Sequence, residues 1–358
     1  MSHFRSEIFS IVRVSLIVSA AAAAFGCSSD ANEPAPATGG GSSTPSTGGS
    51  GTGGSPGSNG GSTSPTGGTP SDANAVVGTF TVTLSAANEL NDQYTSVIGK
   101  VYSGAYPSDI IETPLASGNG CTTYKFSRQS CIDVTCTGSQ VCAAPEECRD
   151  VPRLVSVGKV SVMGIDPGTL MLSGVNNNYQ YPADIVFPGF SEGAPISLSA
   201  TGDFYPAFEV TTTGVAPVVM KADNYLLAPG KPLALEWEAG GNADAQVSVV
   251  LNISKHGGSA GYLRCDTTDS GSLTIPADVL QELIDLGVAG FPALTFTRRT
   301  RGEAPVTGGK IAFDVAAEAA PPLDVEGYCS CFNSSDCGSC SDSTKTVCDS
   351  VRKLCNAP

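Results

Sequence analysis

Ile196-Ser197-Leu198-Ser199-Ala200-Thr201 is the stretch that decides the fold class. Apolar and polar side chains alternate strictly, the pattern of a strand that buries one face and wets the other. The same alternation sets Phe80, Val82 and Leu84 between threonines, and Leu233, Leu235 and Trp237 between Ala234, Glu236 and Glu238. Val247, Val249, Leu251 and Ile253 share one face, as do Ile311, Phe313 and Val315. Turn residues bound these runs, among them Pro229-Gly230 and the stretch from Gly240 to Asp244. The body of the chain therefore reads as all-β. One short helix is expected, with Pro276 at its first position, Leu280, Leu283 and Ile284 on one face, and Gly287 as its stop.

From about Ala216 to Ala319 the strand spacing resembles an immunoglobulin-like or fibronectin-like β-sandwich, with Trp237 as a core anchor. The Cys, Trp, Cys spacing of true immunoglobulin domains is missing, so this likeness is architectural.

Upstream of the β-rich body the composition changes. Arg5 and Arg13 precede an apolar run from Val14 to Phe25, and small residues then meet Cys27, which is the layout of a cleaved export signal. That run is shorter than the roughly 20 residues needed to span a bilayer. From Ser28 to about Ala73 the chain is almost wholly Gly, Ser, Thr, Pro, Ala and Asn. Such a stretch buries too little apolar surface to offset ordering entropy, and it is expected to be a disordered linker. As a Gly/Ser-type coil it would span roughly 35 to 40 Å. The expected segments are a signal at 1–26, a linker at 27–74, a β-rich part with a cysteine cluster at 75–215, a sandwich-like part at 216–325 and a cysteine-rich knob at 326–358.

The tetrad Ala24-Phe25-Gly26-Cys27 resembles the bacterial lipobox, whose cysteine is acylated, for example with palmitate, and becomes the new N-terminus. The resemblance implies a lipid on Cys27, and Ser28 in the next position implies the outer membrane or cell surface. Cleavage by the ordinary signal peptidase near the alanine run, releasing an unanchored protein, is the alternative. Cysteine parity bears on the choice. Of 13 cysteines, Cys27 is the one outside the body, and setting it aside leaves an even number able to pair completely.

Those remaining cysteines are the disulfide candidates, because an exported chain folds in an oxidising compartment. Cys121, Cys131, Cys136, Cys142 and Cys148 form one cluster. Cys329, Cys331, Cys337, Cys340, Cys348 and Cys355 form another, with Cys265 alone between them. Five is odd, so complete pairing requires a bond leaving the first cluster, and Cys265 is the economical partner. Connectivity inside the second cluster stays open. A zinc site at Cys329, Cys331, Cys337 and Cys340 is the alternative to disulfides there. The second cluster resembles the short cysteine-rich knobs of myxobacterial-type lipoproteins, and the middle of the chain resembles β-rich cell-surface lipoproteins of that group that have no assigned function.

The formal net charge is −15, and the leader's loss makes the mature chain one unit more acidic. An acidic surface argues against nucleic acid and against docking on anionic lipid headgroups.

Catalytic patterns fare poorly. Only His256 remains once His3 leaves with the leader, which excludes two-histidine sites. The run Gly257-Gly258-Ser259-Ala260-Gly261 matches the G-x-S-x-G elbow, with Ser259 in the nucleophile's place, but a helix should follow an elbow. Here Tyr262, Leu263 and Arg264 read as the next strand, making the run a hairpin turn. The same pattern recurs at Gly53, Ser55 and Gly57 in the linker. Ser156 and Lys159 match S-x-x-K, yet they lie in a strand-like run from Val155 to Met163, where the two side chains diverge. Asp266 and Asp269 are candidate calcium ligands, with turn bonding as their ordinary role. No pattern demands a cofactor.

The expected function is a membrane-anchored, non-enzymatic surface module for binding, adhesion or envelope structure, with a protein or glycan as its ligand. Two alternatives are a glycan-directed hydrolase working through carboxylates, and a protease-inhibiting C-terminal knob.

Overall fold

A computed structural model describes residues 74–88 and 91–358. The expected signal, Cys27, nearly all of the expected linker and the serine pattern at Ser55 lie outside the described residues.

The first strands are β1 (Val76–Ser85), β2 (Tyr94–Val101), β3 (Ile110–Gly118) and β4 (Cys121–Arg128). A small hairpin, β5 (Gln140–Ala144) and β6 (Glu147–Asp150), follows. Next come β7 (Val160–Ile165), β8 (Gly168–Val175), β9 (Asn178–Gln180), β10 (Pro195–Ala200) and β11 (Phe208–Thr213). The chain continues through β12 (Tyr225–Leu227), β13 (Leu233–Glu236), β14 (Gln246–Asn252), β15 (Gly261–Thr268) and β16 (Ser272–Ile275). After the helix α1 (Ala277–Asp285) come the long β17 (Ala293–Val306) and β18 (Gly309–Ala319), then β19 (Leu323–Val325).

Thirteen of these strands share one sheet, in the order β11-β10-β7-β8-β9-β2-β1-β18-β17-β14-β15-β4-β3. Strands from both sides of residue 215 are interleaved in it: β1 pairs in parallel with β18, and β4 pairs with β15. The sheet also turns back on itself. β11, at one end of the order, lies against β17 and β18 in the middle. A Cβ at Gly302 would sit 2.7 Å from Val210 Cγ2, so the two layers touch at backbone distance there. The body is thus an all-β sandwich, with one continuous core that includes Phe80, Ile196, Leu198, Trp237, Phe296 and Phe313. The expected inward faces are met, since Phe80, Val82, Leu84, Val247, Val249, Leu251, Ile311, Phe313 and Val315 are all buried. β18 is not half-buried as expected: Ala312, Asp314 and Ala316 on its other face are buried too, in the middle of the sheet where β11 lies against it.

Two local expectations change. Pro276 caps α1 in an extended conformation and does not enter it, because its ψ of 149° points the chain into the helix from outside. The strand expected from Val155 begins at Val160 instead, since Gly158 at φ +80° turns the backbone first. α1 covers the inner side of β3, β4 and β15, burying Val279, Leu280, Leu283 and Ile284. Buried Thr123 on β4 donates its hydroxyl to Val279 O at 2.6 Å, tying sheet to helix.

All twelve body cysteines are paired. Cys121 joins Cys265, directly opposite it on neighbouring strands. Cys131 pairs with Cys142 and Cys136 with Cys148. The knob closes through Cys329–Cys340, Cys331–Cys348 and Cys337–Cys355, and its small interior is formed by those half-cystines. It docks on the body where Gly290 N donates to Arg352 O and Arg352 Nη2 donates to Val288 O, both at 2.6 Å. Leu354 joins the main core from this side.

Candidate functional site

The catalytic patterns of the sequence are taken up by structural contacts. After the single 3-10 turn Lys255–Gly257 the chain enters β15, with no helix under Ser259. The Ser259 hydroxyl donates to Gly261 O at 3.2 Å and accepts from Asn252 Nδ2 at 3.1 Å, so it bridges the two strands of a hairpin. His256 instead packs edge-on against Phe291, with centroids 5.5 Å apart. The Ser156 hydroxyl accepts from Gly158 N, and Lys159 N donates to Thr201 Oγ1, so the S-x-x-K pair shapes a bend. The cysteines with zinc-like spacing have their sulfurs in S–S bonds, which removes the thiolates a metal would need.

Asp266 and Asp269 part company. Asp266 is exposed and lies 3.0 Å from Arg264 Nε. Asp269 belongs to a buried network that sequence reading missed. Its Oδ1 accepts from Trp237 Nε1 at 2.7 Å and from Arg298 Nη2 at 3.1 Å, while Oδ2 accepts from Gly240 N at 2.9 Å. Arg298 Nη1 donates to Ala216 O and Pro217 O, both at 3.0 Å, and Nη2 also reaches Glu238 O. Arg298 Nε stands 2.7 Å from Asp269 Oδ2 as an ion pair, outside hydrogen-bond alignment. Glu192 lies across Gly240 from Asp269 and accepts from Gly241 N and Asn242 N. Each carboxylate has an oxygen within 2.8 Å of where a Gly240 Cβ would stand, so the two flank that glycine. Both are committed to fixing one loop, not to an open cleft.

Two surface features remain available. The first is the loop between Cys131 and Cys136, held at both ends by disulfides. The Glu146 carboxylate accepts from Ile132 N, Asp133 N and Val134 N, each at 2.9 Å. Those amide donors, Ile132 first, hold its carboxyl below the usual carboxylate range. Ile132 is left 82% exposed.

The second feature is an aromatic row on the outer face of the sheet. Tyr124 and Tyr262 are direct cross-strand partners on β4 and β15, with rings 5.4 Å apart and inclined by 23°. Phe126 lies 5.3 Å from Tyr262. The three rings face outward because Thr123 and Leu263, their neighbours in sequence, point into the core. The Arg264 guanidinium stands 5.9 Å from the Tyr124 centroid. Glu112 is opposite Phe126 on the edge strand β3. Burial, and then the charge and hydrogen bond of Glu112, push the Tyr262 hydroxyl up to about 12. The Tyr124-x-Phe126 spacing was visible in sequence, but its partner lies far along the chain and no periodicity announces it. A shallow recess lined by Pro206, Ala207, Phe208, Pro305, Val306 and Thr307 has no ionisable side chain.

No family model matches the chain, and no curated protein matches it. Among solved structures, the FN1–FN3 domains of chicken CNTN1 are similar over 61% of this chain and 69% of that one. The identity is 9% and the TM-score 0.16, too distant to carry an argument about this chain.

Proposed function

We propose that this chain is an exported lipoprotein, anchored through Cys27, whose β-sandwich body serves as a non-enzymatic surface module for binding or envelope structure. The observation that carries the reading is the cysteine pairing. The twelve body cysteines are satisfied among themselves, which leaves Cys27 with no cysteine partner in its own chain. Six disulfides suit an oxidising compartment, and a lipid gives the thirteenth cysteine a role. Among the described residues no helix is long and apolar enough to cross a membrane.

The non-enzymatic part of the reading draws on the engagement of the candidate groups. Ser259, Ser156 and Asp269 spend their hydrogen-bonding capacity on turns and on the buried arginine. The test is a turnover assay of the purified full chain on a panel of glycans and peptides. The expected result is intact substrate throughout. Release of products, lost in a Glu192→Gln or Asp269→Asn variant that still folds, overturns the reading.

A further inference from the structure

We infer that the outer face formed by Tyr124, Tyr262, Phe126, Arg264 and Glu112 is a binding platform for a neutral saccharide chain. This rests on the non-enzymatic binding reading and supplies its ligand class.

The geometry of the rings is the first argument. Tyr124 and Tyr262 are 23° from parallel, with centroids 5.4 Å apart. Rings in stacking contact at that separation are offset sideways by roughly 4 Å, in the arrangement aromatic pairs prefer. Each ring therefore covers only part of the other, and both remain partly open to solvent together with Phe126. A pyranose ring presents a face of C–H groups that packs on aromatic faces, with its hydroxyls directed outward around the edge.

The rim is the second argument. Arg264 is nearly half exposed beside Tyr124 and is oriented by Asp266. Glu112 lies at the other end of the row, next to Phe126 and Tyr262. A guanidinium offers paired donors and a carboxylate paired acceptors, which together match vicinal hydroxyl groups acting in both directions.

Charge narrows the choice of occupant. The chain carries −15 overall, and the guanidiniums of Arg264 and Arg128 beside the row are each paired with a carboxylate, Asp266 and Asp109, so a polyanion is repelled. The row follows the sheet surface across β4 and β15, with Tyr124, Tyr262 and Phe126 each half-buried. Its place near the end of the sheet, where only β3 lies beyond β4, leaves room for a linear chain to run across the strands.

The test uses the purified full chain and five soluble hexaoses: cello-, chito-, xylo-, laminari- and maltohexaose. Binding is followed by titration calorimetry, and the sugars are chromatographed afterwards. At least one hexaose is expected to bind. Tyr124→Ala and Tyr262→Ala should each weaken it tenfold or more, Arg264→Gln severalfold, and Tyr262→Phe much less than Tyr262→Ala. Since the alanine variants remove half-buried rings, melting curves accompany them, and the exposed Arg264→Gln keeps the test decisive if they unfold. Absence of binding by all five hexaoses overturns the saccharide inference and leaves the non-enzymatic reading standing. Binding indifferent to Arg264→Gln and to the folded tyrosine variants overturns it likewise. Shortened sugars in the chromatogram overturn the non-enzymatic reading itself.

Discussion

Arg298 and Asp269 face each other 2.7 Å apart, with only 1% and 5% of their side chains exposed. The guanidinium gathers carbonyls from 216, 217 and 238 while the carboxylate holds the Trp237 indole, so one ion pair fastens three loops to the core. Truncating one member leaves the other buried and uncompensated. Arg298→Ala and Asp269→Ala are each expected to lose about 3–5 kcal/mol in denaturant melts. Arg298→Lys should not rescue, since an ammonium cannot reproduce the planar fork. A loss of less than about 1 kcal/mol for either alanine variant would contradict the network.

Phe80 on β1 lies directly opposite Gly99 on β2, and a Cβ at Gly99 would fall inside the van der Waals envelope of the phenylalanine ring. Gly99→Ala is expected to cost about 2 kcal/mol or more through overpacking. In the double variant Gly99→Ala/Phe80→Leu, the added cost of the alanine should shrink. Additive costs in a double-mutant cycle would show that the ring does not rest on the glycine.

The Glu146 clamp carries a pH signature. Its folded pKa is lowered by the amides of Ile132, Asp133 and Val134. The stabilisation is therefore fully present above the unfolded carboxyl's value of about 4.3 and is lost as pH falls through the lower folded value. Protection factors at those three amides, corrected for intrinsic base-catalysed exchange, should fall only on the acid side as Glu146 is protonated, and Glu146→Gln should lower them already at neutral pH. Protection lost near neutrality in the unaltered chain would count against the clamp.

Cys121–Cys265 closes a loop of 144 residues, far longer than the other five. Replacing both cysteines by serine is expected to cost about 4–5 kcal/mol on the chain-entropy account. Each bond inside the knob, spanning 11 to 18 residues, should matter less to the body's melting. Equal effects from Cys121/Cys265 and a knob pair would contradict that ordering.

Strand positions were legible because period-2 burial is local: Ile196, Leu198 and Ala200 announce their inward face in six residues. Cys265 could be matched to the first cluster by counting alone. The parallel pairing of β1 with β18 could not be foreseen, since nothing in Val76–Ser85 records a partner more than 200 residues away. Asp269 read as an ordinary turn residue for the same reason. Its burial depends on Arg298, and a basic residue within a strand gives no local sign that it points inward. The aromatic row shares this property, being assembled from β4 and β15, which meet only in the folded sheet.

Acylation of Cys27 is the measurement on which the account of an anchored surface module turns. Cells expressing the full chain are labelled with radioactive palmitate, beside cells expressing Cys27→Ser. The account predicts label on the wild-type protein in the membrane fraction and none on the variant. Equal label on both, or none on either with the protein released to the medium, would contradict it.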